Sequence, residues 1–161
     1  MIDDRTQWPV ASGGRRVEVC SGAEPSGASV TQEFRVGAKA LVTSRDRVLL
    51  IEEQRDDGST FWTFPGGGVE AGESLRNCLR REVREELQCR VSIDQMVTSC
   101  TYRHRSKPST VTHYAVLGAE LETDPDPNPR EGIIDCEWWN PDSLPPGTLE
   151  PFREIVPTVD P

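Results

Sequence analysis

Lysine is almost missing from this chain. Lys39 and Lys107 stand against sixteen arginines, and 27 acidic residues leave a formal charge of −9. An acidic surface repels a phosphate backbone, which excludes a general nucleic-acid binder. A small anionic substrate stays admissible where a metal or a local basic patch answers its charge. A high-salt habitat and a coding bias both fit the Lys-poor, acidic balance. Also missing is any apolar run near the roughly 18–20 residues needed to cross a bilayer, so no membrane partner is expected. The opening "MIDDRTQWPVASGG" has no basic segment leading into an apolar one, which argues against a secretory leader. The five cysteines are odd in number and include no C-x-x-C pair. Neither a zinc site nor a disulfide framework is therefore signalled. Buried free thiols in a reducing cytosol are the expectation, and with them a cytoplasmic location.

What is present suits one domain: 161 residues, 35% of them hydrophobic, are enough for a real core. Residues 1–33 are rich in Gly, Ser and charge and read as a partly ordered extension, with one short strand at Arg16–Cys20. Residues 34–157 form the folded domain and 158–161 a tail. Within the domain, "EFRVGAKALVTS" and "DRVLLIEEQR" flank a turn at Ser44–Asp46 and predict a β-hairpin. "FWTF" is a short strand running into glycines. From Ser74 to Leu87, the spacing of Leu75, Leu79, Val83 and Leu87 predicts a helix with one apolar stripe. Two longer β-type runs follow, joined by the basic loop "RHRSKPS". "TDPDPNPREG" reads as an exposed loop. "IIDCEWWN" is a further strand, in which alternation sends one of Trp138 and Trp139 to the core and the other to the surface. "LEPFREIV" closes the domain as a helix. The order of elements is that of an α/β fold, a mixed sheet with helices on it.

One stretch carries the chemistry. Glu82, Glu85 and Glu86 lie at i, i+3 and i+4 on the predicted helix, where each like-charge pair costs a few tenths of a kcal/mol. At about 100° per residue they border the apolar stripe, at the boundary between core and surface. Clustered, half-buried carboxylates resist ionising unless a cation is present. Hard divalent ions take such oxygen ligands and bridge to substrate phosphates. The preceding "PGGGVEAGE" supplies glycines that permit a tight turn and close backbone approach, with Pro65 stiffening the entry.

This stretch resembles the Nudix box, G-x5-E-x7-R-E-U-x-E-E-x-G-U, with U a bulky apolar residue. Gly67, Glu73 and "REVREE" from Arg81 to Glu86 match in register. Gln88 stands where the family has glycine, and Cys89 where it has a bulky aliphatic. The resemblance implies an α/β/α sandwich around a mixed sheet. It also implies a hydrolase that cleaves a nucleoside diphosphate linked to another moiety with Mg²⁺ or Mn²⁺, by attack of a metal-activated water on phosphorus. By analogy Glu82, Glu85 and Glu86 hold the metal with the Gly66 carbonyl, while Glu73 and Arg81 brace the loop. Glu82 or Glu85 would take the proton; in some relatives a glutamate on a distant loop does so, and Glu131 sits where that residue would lie.

For the rest of the substrate, Trp62 is a candidate to stack on a base or an ordinary core aromatic. Arg55 is a phosphate contact or a solvated strand end. The basic loop from Tyr102 to Pro108, Arg103 with it, would suit a polyphosphate. No "SQPWPFP"-like run, which would mark NADH hydrolysis, is present. The expected partners are a small nucleotide-type molecule and, left open, a second copy of the chain. The competing reading is a non-catalytic Nudix-like module that binds a nucleotide or ADP-ribose.

Overall fold

The computed structural model describes residues 16–17, 31–105 and 107–156. Its strands are β1 (Arg16–Val17), β2 (Gln32–Ser44), β3 (Arg47–Gln54), β4 (Thr60–Thr63), β5 (Gly66–Gly68), β6 (Val91–Arg103), β7 (Thr110–Leu121) and β8 (Ile133–Trp139); its α-helices are α1 (Leu75–Leu87) and α2 (Glu150–Ile155). Most of the expected extension over 1–33, and the tail 158–161, lie outside the described residues. Of the strand expected there, Arg16 and Val17 pair with Glu33 and Gln32.

Strand β2 is the spine. It runs parallel to β7 from Glu33↔Thr110 to Val42↔Ala119, and β5 lies antiparallel along its other edge. β6 adds antiparallel to β7. The expected hairpin partner, β3, pairs with β2 only at Thr43↔Val48 and Ser44↔Arg47. The turn between them puts Arg45 and Asp46 at φ of 47° and 62°. Further along, β3 pairs with β4 and β8 instead. The two branches of the sheet therefore part company, and a cleft opens between them.

Period-two alternation feeds two cores. Ala38, Ala40, Val42, Leu49 and Ile51 meet Leu79, Val83 and Leu87 of α1. Leu41, Val48 and Leu50 meet Phe64, Phe152 and Ile155 on the α2 side. The mixed sheet is thus the middle of three layers, the sandwich expected. Because both faces are covered, the expectation for the tryptophan pair is corrected: Trp138 packs against the α1 core and Trp139 against the α2 core. No helix among the described residues is long and apolar enough to cross a membrane.

Helix α1 starts at Ser74, whose hydroxyl accepts the Asn77 N–H at 3.2 Å, satisfying one of the donors a helix start leaves open. At the far end Gln88 takes the left-handed conformation itself, at φ 51° and ψ 27°, and its N–H reaches the Arg84 carbonyl. The glycine usual in the box is therefore not needed for the exit. The loop "TDPDPNPREG" is not merely a solvent arc. The Asp126 and Asn128 N–H groups donate to the carbonyls of Leu87 and Glu86 at 2.8 and 2.9 Å, and Asn128 Nδ2 donates to that of Glu85 at 2.8 Å. These close the last turn of α1, whose carbonyls have no partner within the helix. Gln88→Gly should relieve about 1 kcal/mol of left-handed strain and raise the melting temperature by about 2 °C. A lower melting temperature would show that the side-chain bonds to Asp126 outweigh that strain.

Candidate active site

The register Lys39↔Gly66, Ala38↔Gly67 and Gly37↔Gly68 lays the glycine strand over the carboxylates of α1. Glu86 is 7% exposed, and its Oε2 accepts the Gly66 N–H at 2.8 Å. Burial pushes its carboxyl up to about 8, against the opposing charge of Lys39. Burial raises Glu82 as well, whereas Glu85 is open, with 42% of its side chain exposed. Only glycines allow this approach. At Gly66, φ is +124° and a Cβ would sit 2.2 Å from the Ala38 carbonyl oxygen. At Gly67 a Cβ would sit 2.6 Å from Glu82 Oε1. That neighbour is the end of a flexible side chain, so Gly67→Ala should move the Glu82 carboxylate at little cost to folding. The expected result is at least about a tenfold loss of kcat with the melting temperature nearly unchanged; full activity would mean that the position of Glu82 is not critical.

Arg81 is the hub. Its Nε and one terminal nitrogen donate to both oxygens of Glu73 at 2.9 and 3.0 Å, and the Gly68 carbonyl accepts at 3.0 Å. Its other terminal nitrogen reaches Glu82 at 2.9 Å and Glu85 at 3.2 Å. These bonds hold the Glu73 carboxyl below its ordinary range. The brace expected from the resemblance thus also touches two of the three clustered glutamates. Cys78 lies beneath, its thiol pushed up to about 12 by burial, an inert core group.

Lys39 is the residue that sequence reasoning passed over. It is 5% exposed and donates to the carbonyls of Phe64 at 2.9 Å and Gly66 at 2.6 Å. Its ammonium also lies 5.4 Å from the Tyr114 ring centre. The Gly66 carbonyl, expected as a metal ligand, is thus bonded to an ammonium. The available signal was a lone lysine in a strand of small and apolar residues. Lys39 lines a cavity of about 170 Å³ with Glu53, Arg55, Phe61, Tyr102 and His104. It opens where β2 and β3 part, and Glu53 is close enough to help raise the Glu86 carboxyl.

The other expected residues fall in different places. Arg55 lines the cavity and stacks 4.1 Å above the Phe61 ring. Trp62 does not join it: the indole is 9% exposed, packed in the α2-side core edge-on to Trp139 at 5.5 Å. Of the two readings for Trp62, its burial fits the core aromatic; alternation along β4 turns Phe61, not Trp62, to the cleft. Arg103 is exposed and donates to the Pro108 carbonyl at 3.1 Å. Glu131 is exposed and ends the 3-10 turn Pro129–Glu131, which Asn128 ties to the Glu85 and Glu86 end of α1.

Among the described residues, no three His, Cys, Asp or Glu side chains already stand around one point in ligating geometry; Arg81 engages Glu82 and Glu85. The donor set nonetheless suits a hard divalent cation. It offers carboxylate and carbonyl oxygens only, and burial drives Glu82 and Glu86 toward the neutral form, a penalty that a bound cation offsets.

A three-layer sandwich with a glycine strand laid over a glutamate-bearing helix is the architecture of the Nudix hydrolases. The NUDIX domain profile matches residues 33–158, and the chain belongs to that family. Curated relatives named NAD-capped RNA hydrolase NudC include that of Pseudomonas putida (strain W619), 35% identical over 106 residues, or 66% of this chain and 36% of the relative. The NudC of Pseudomonas fluorescens (strain Pf0-1) is 37% identical over the same shares. The chain therefore spans about a third of the length of these relatives. A MutT NUDIX hydrolase from Burkholderia pseudomallei superposes with a TM-score of 0.67 at 24% identity, covering 80% of this chain and 100% of that one. A MutT protein from Methanosarcina mazei Go1 does so with 0.68 at 17% identity, covering 79% and 93%. At such identities the two structures speak for the fold alone.

Proposed function

We propose that this protein is a divalent-metal-dependent pyrophosphohydrolase acting on a nucleoside diphosphate linked to a second moiety. The observation that carries the reading is the packing of Gly66 and Gly67 onto Glu86 and Glu82 beside a cavity that offers Lys39 and Arg55. Glu82, Glu85, Glu86 and the Gly66 carbonyl would hold Mg²⁺ or Mn²⁺. Bound there, the ion supplies Lewis acidity, neutralising diphosphate charge and lowering the pKa of the attacking water. The chain's own residues do the rest. Arg81 fixes the Glu82 Oε1 atom and leaves Oε2 to take the water's proton, a role for which an upward-shifted carboxyl is suited. Glu131 is the second candidate for that proton. Arg55 orients a phosphate oxygen, and Lys39 keeps positive charge on the cavity floor while holding the Gly66 carbonyl in place. The buried thiols of Cys78 and Cys89 suit a cytoplasmic setting, which we adopt as part of the proposal.

The test is phosphate release, through a coupled phosphatase, from a nucleotide panel at alkaline pH with Mg²⁺ or Mn²⁺. The panel spans dinucleotides such as NADH, ADP-ribose, nucleotide sugars, nucleoside triphosphates and dinucleoside polyphosphates. The names of the NudC relatives put NAD-type dinucleotides first, whereas the missing "SQPWPFP"-like run argues against NADH. Hydrolysis of a nucleoside diphosphate derivative that stops on chelation is the expected result. Calorimetric metal binding with a silent panel would favour the nucleotide-binding module instead.

A further inference from the structure

Beside the first cavity lies a larger one, of about 310 Å³. Arg55, Phe61, Tyr102 and Leu149 line both, so the two are compartments of one cleft. The far compartment adds Arg103 from the end of β6 and Arg105 from the β6–β7 connection. Three arginines thus line one compartment in a chain of net charge −9.

Unlike Arg81, these three are not engaged by acids among the described residues. Arg81 reaches four acids, and Arg35 and Arg90 one each. None of Arg55, Arg103 and Arg105 forms an ion pair among the described residues. Neutral groups hold two of them. Arg103 donates to the Pro108 carbonyl at 3.1 Å and, with the Gln32 amide in its favourable orientation, to that amide oxygen at 3.1 Å. Arg55 donates to the Ser59 hydroxyl at 3.3 Å and stacks on Phe61. Asp57, near Arg55, is turned to the Ser59 hydroxyl and N–H at 2.6 and 2.9 Å. A single acid, Glu150, lines the far compartment. Guanidinium groups whose bonded neighbours are neutral keep their charge for an incoming anion, and the fork of a guanidinium matches a phosphate.

We propose that the far compartment is a phosphate subsite, so that the favoured substrate carries a phosphate of its own beyond the scissile diphosphate. This rests on the proposed function for the near compartment. Phe61 and Tyr102, shared by both, offer aromatic surface to the nucleoside that joins the two charged groups.

The test is calorimetry with Mg²⁺, comparing AMP with adenosine 2′,5′-bisphosphate and 3′,5′-bisphosphate at low and at molar salt. The wild type is set beside Arg103→Gln/Arg105→Gln, with melting temperature as the check on folding. Arg105→Gln alone serves if the double variant is unstable. The expected result is that at least one bisphosphate binds about tenfold more tightly than AMP to the wild type at low salt, a gain that disappears in the variant and at molar salt. The proposal is overturned if neither bisphosphate binds better than AMP, or if the gain survives removal of the arginines. A silent hydrolysis panel would sink the enzymatic reading and leave this comparison legible. Equal binding with an active panel would remove the far subsite alone.

Discussion

Glu86→Gln should lower kcat by roughly a hundredfold or more and leave the protein folded. The amide oxygen can still accept the Gly66 N–H that Glu86 now accepts at 2.8 Å, so the glycine strand stays pinned. What disappears is a buried carboxyl that can ionise beside Lys39, Glu82 and Glu53. The pH dependence separates this explanation from a merely structural one. The folded carboxyl titrates at about 8 against an ordinary 4.5, so between those values the fold holds a proton that the unfolded chain has lost. That contribution to stability is full below the ordinary value and gone above about 8, since stability falls with pH where the native state binds more protons. In metal-free buffer the wild type should therefore melt at a progressively lower temperature as pH rises through this window. Glu86→Gln should show a flatter profile, with the upward-shifted Glu82 and, in the opposite sense, the His104 imidazole that burial shifts down left to contribute. Near-normal kcat with Mg²⁺ would remove Glu86 from the metal site. An unchanged melting profile would remove the buried-charge argument.

The second large effect belongs to Arg81→Ala. Its side chain is 19% exposed, against Glu73 at 14% and Glu82 at 16%. Truncation strands both acids and frees the Gly68 carbonyl. Removing one partner of a half-buried network of this kind costs about 3 kcal/mol, which corresponds to a fall of about 6–12 °C in melting temperature for a chain of this size. Activity should fall in the same variant because Glu82 and Glu85 lose the group that orients them. Glu73 gives the sign with pH. Its carboxyl is held down by its bonds to Arg81, so its contribution is present above the ordinary carboxylate range and lost as pH falls through the folded value. The gap in melting temperature between wild type and variant should close in acid. A variant that melts with the wild type at neutral pH would contradict the bracing role. Arg81→Lys should recover little, since an ammonium cannot span both Glu73 oxygens and the Gly68 carbonyl.

Much of the framework was legible because it is local. A stripe of Leu75, Leu79, Val83 and Leu87 and carboxylates three and four residues apart follow from helical geometry alone, and helix α1 carries both. The hairpin turn and the final helix were marked by their flanking residues in the same way. What stayed hidden depends on pairings between distant segments. Lys39 reads as a strand residue until the β2–β5 register places it opposite Gly66. Glu53 carries no local signal; it matters because β3 leaves β2 and brings it to the cleft wall. Trp62 and Phe61 are adjacent aromatics of equal promise. Which of them faces the core depends on the partners of β4, and the Trp139 contact decides it. The Pro- and Asp-rich loop has the composition of an exposed arc, and that composition carries no sign that its N–H groups close α1.

That closure sets a rule for how the β7–β8 connection can change length. The segment that caps the last turn of α1 lies 43 residues downstream of Glu85 and touches the helix at Asp126 and Asn128. Asp124, just before it and beyond the bonds that tie Glu122 and Thr123 to Arg90, is exposed. Extra residues inserted there would bulge into solvent as a longer arc. The same residues inserted between Asp126 and Asn128 would pull the donors away from the Glu85, Glu86 and Leu87 carbonyls and fray the end of α1 that carries two of the three clustered glutamates. New walls for the cleft can thus be grown from the front of this connection, while its rear half stays tied to the helix.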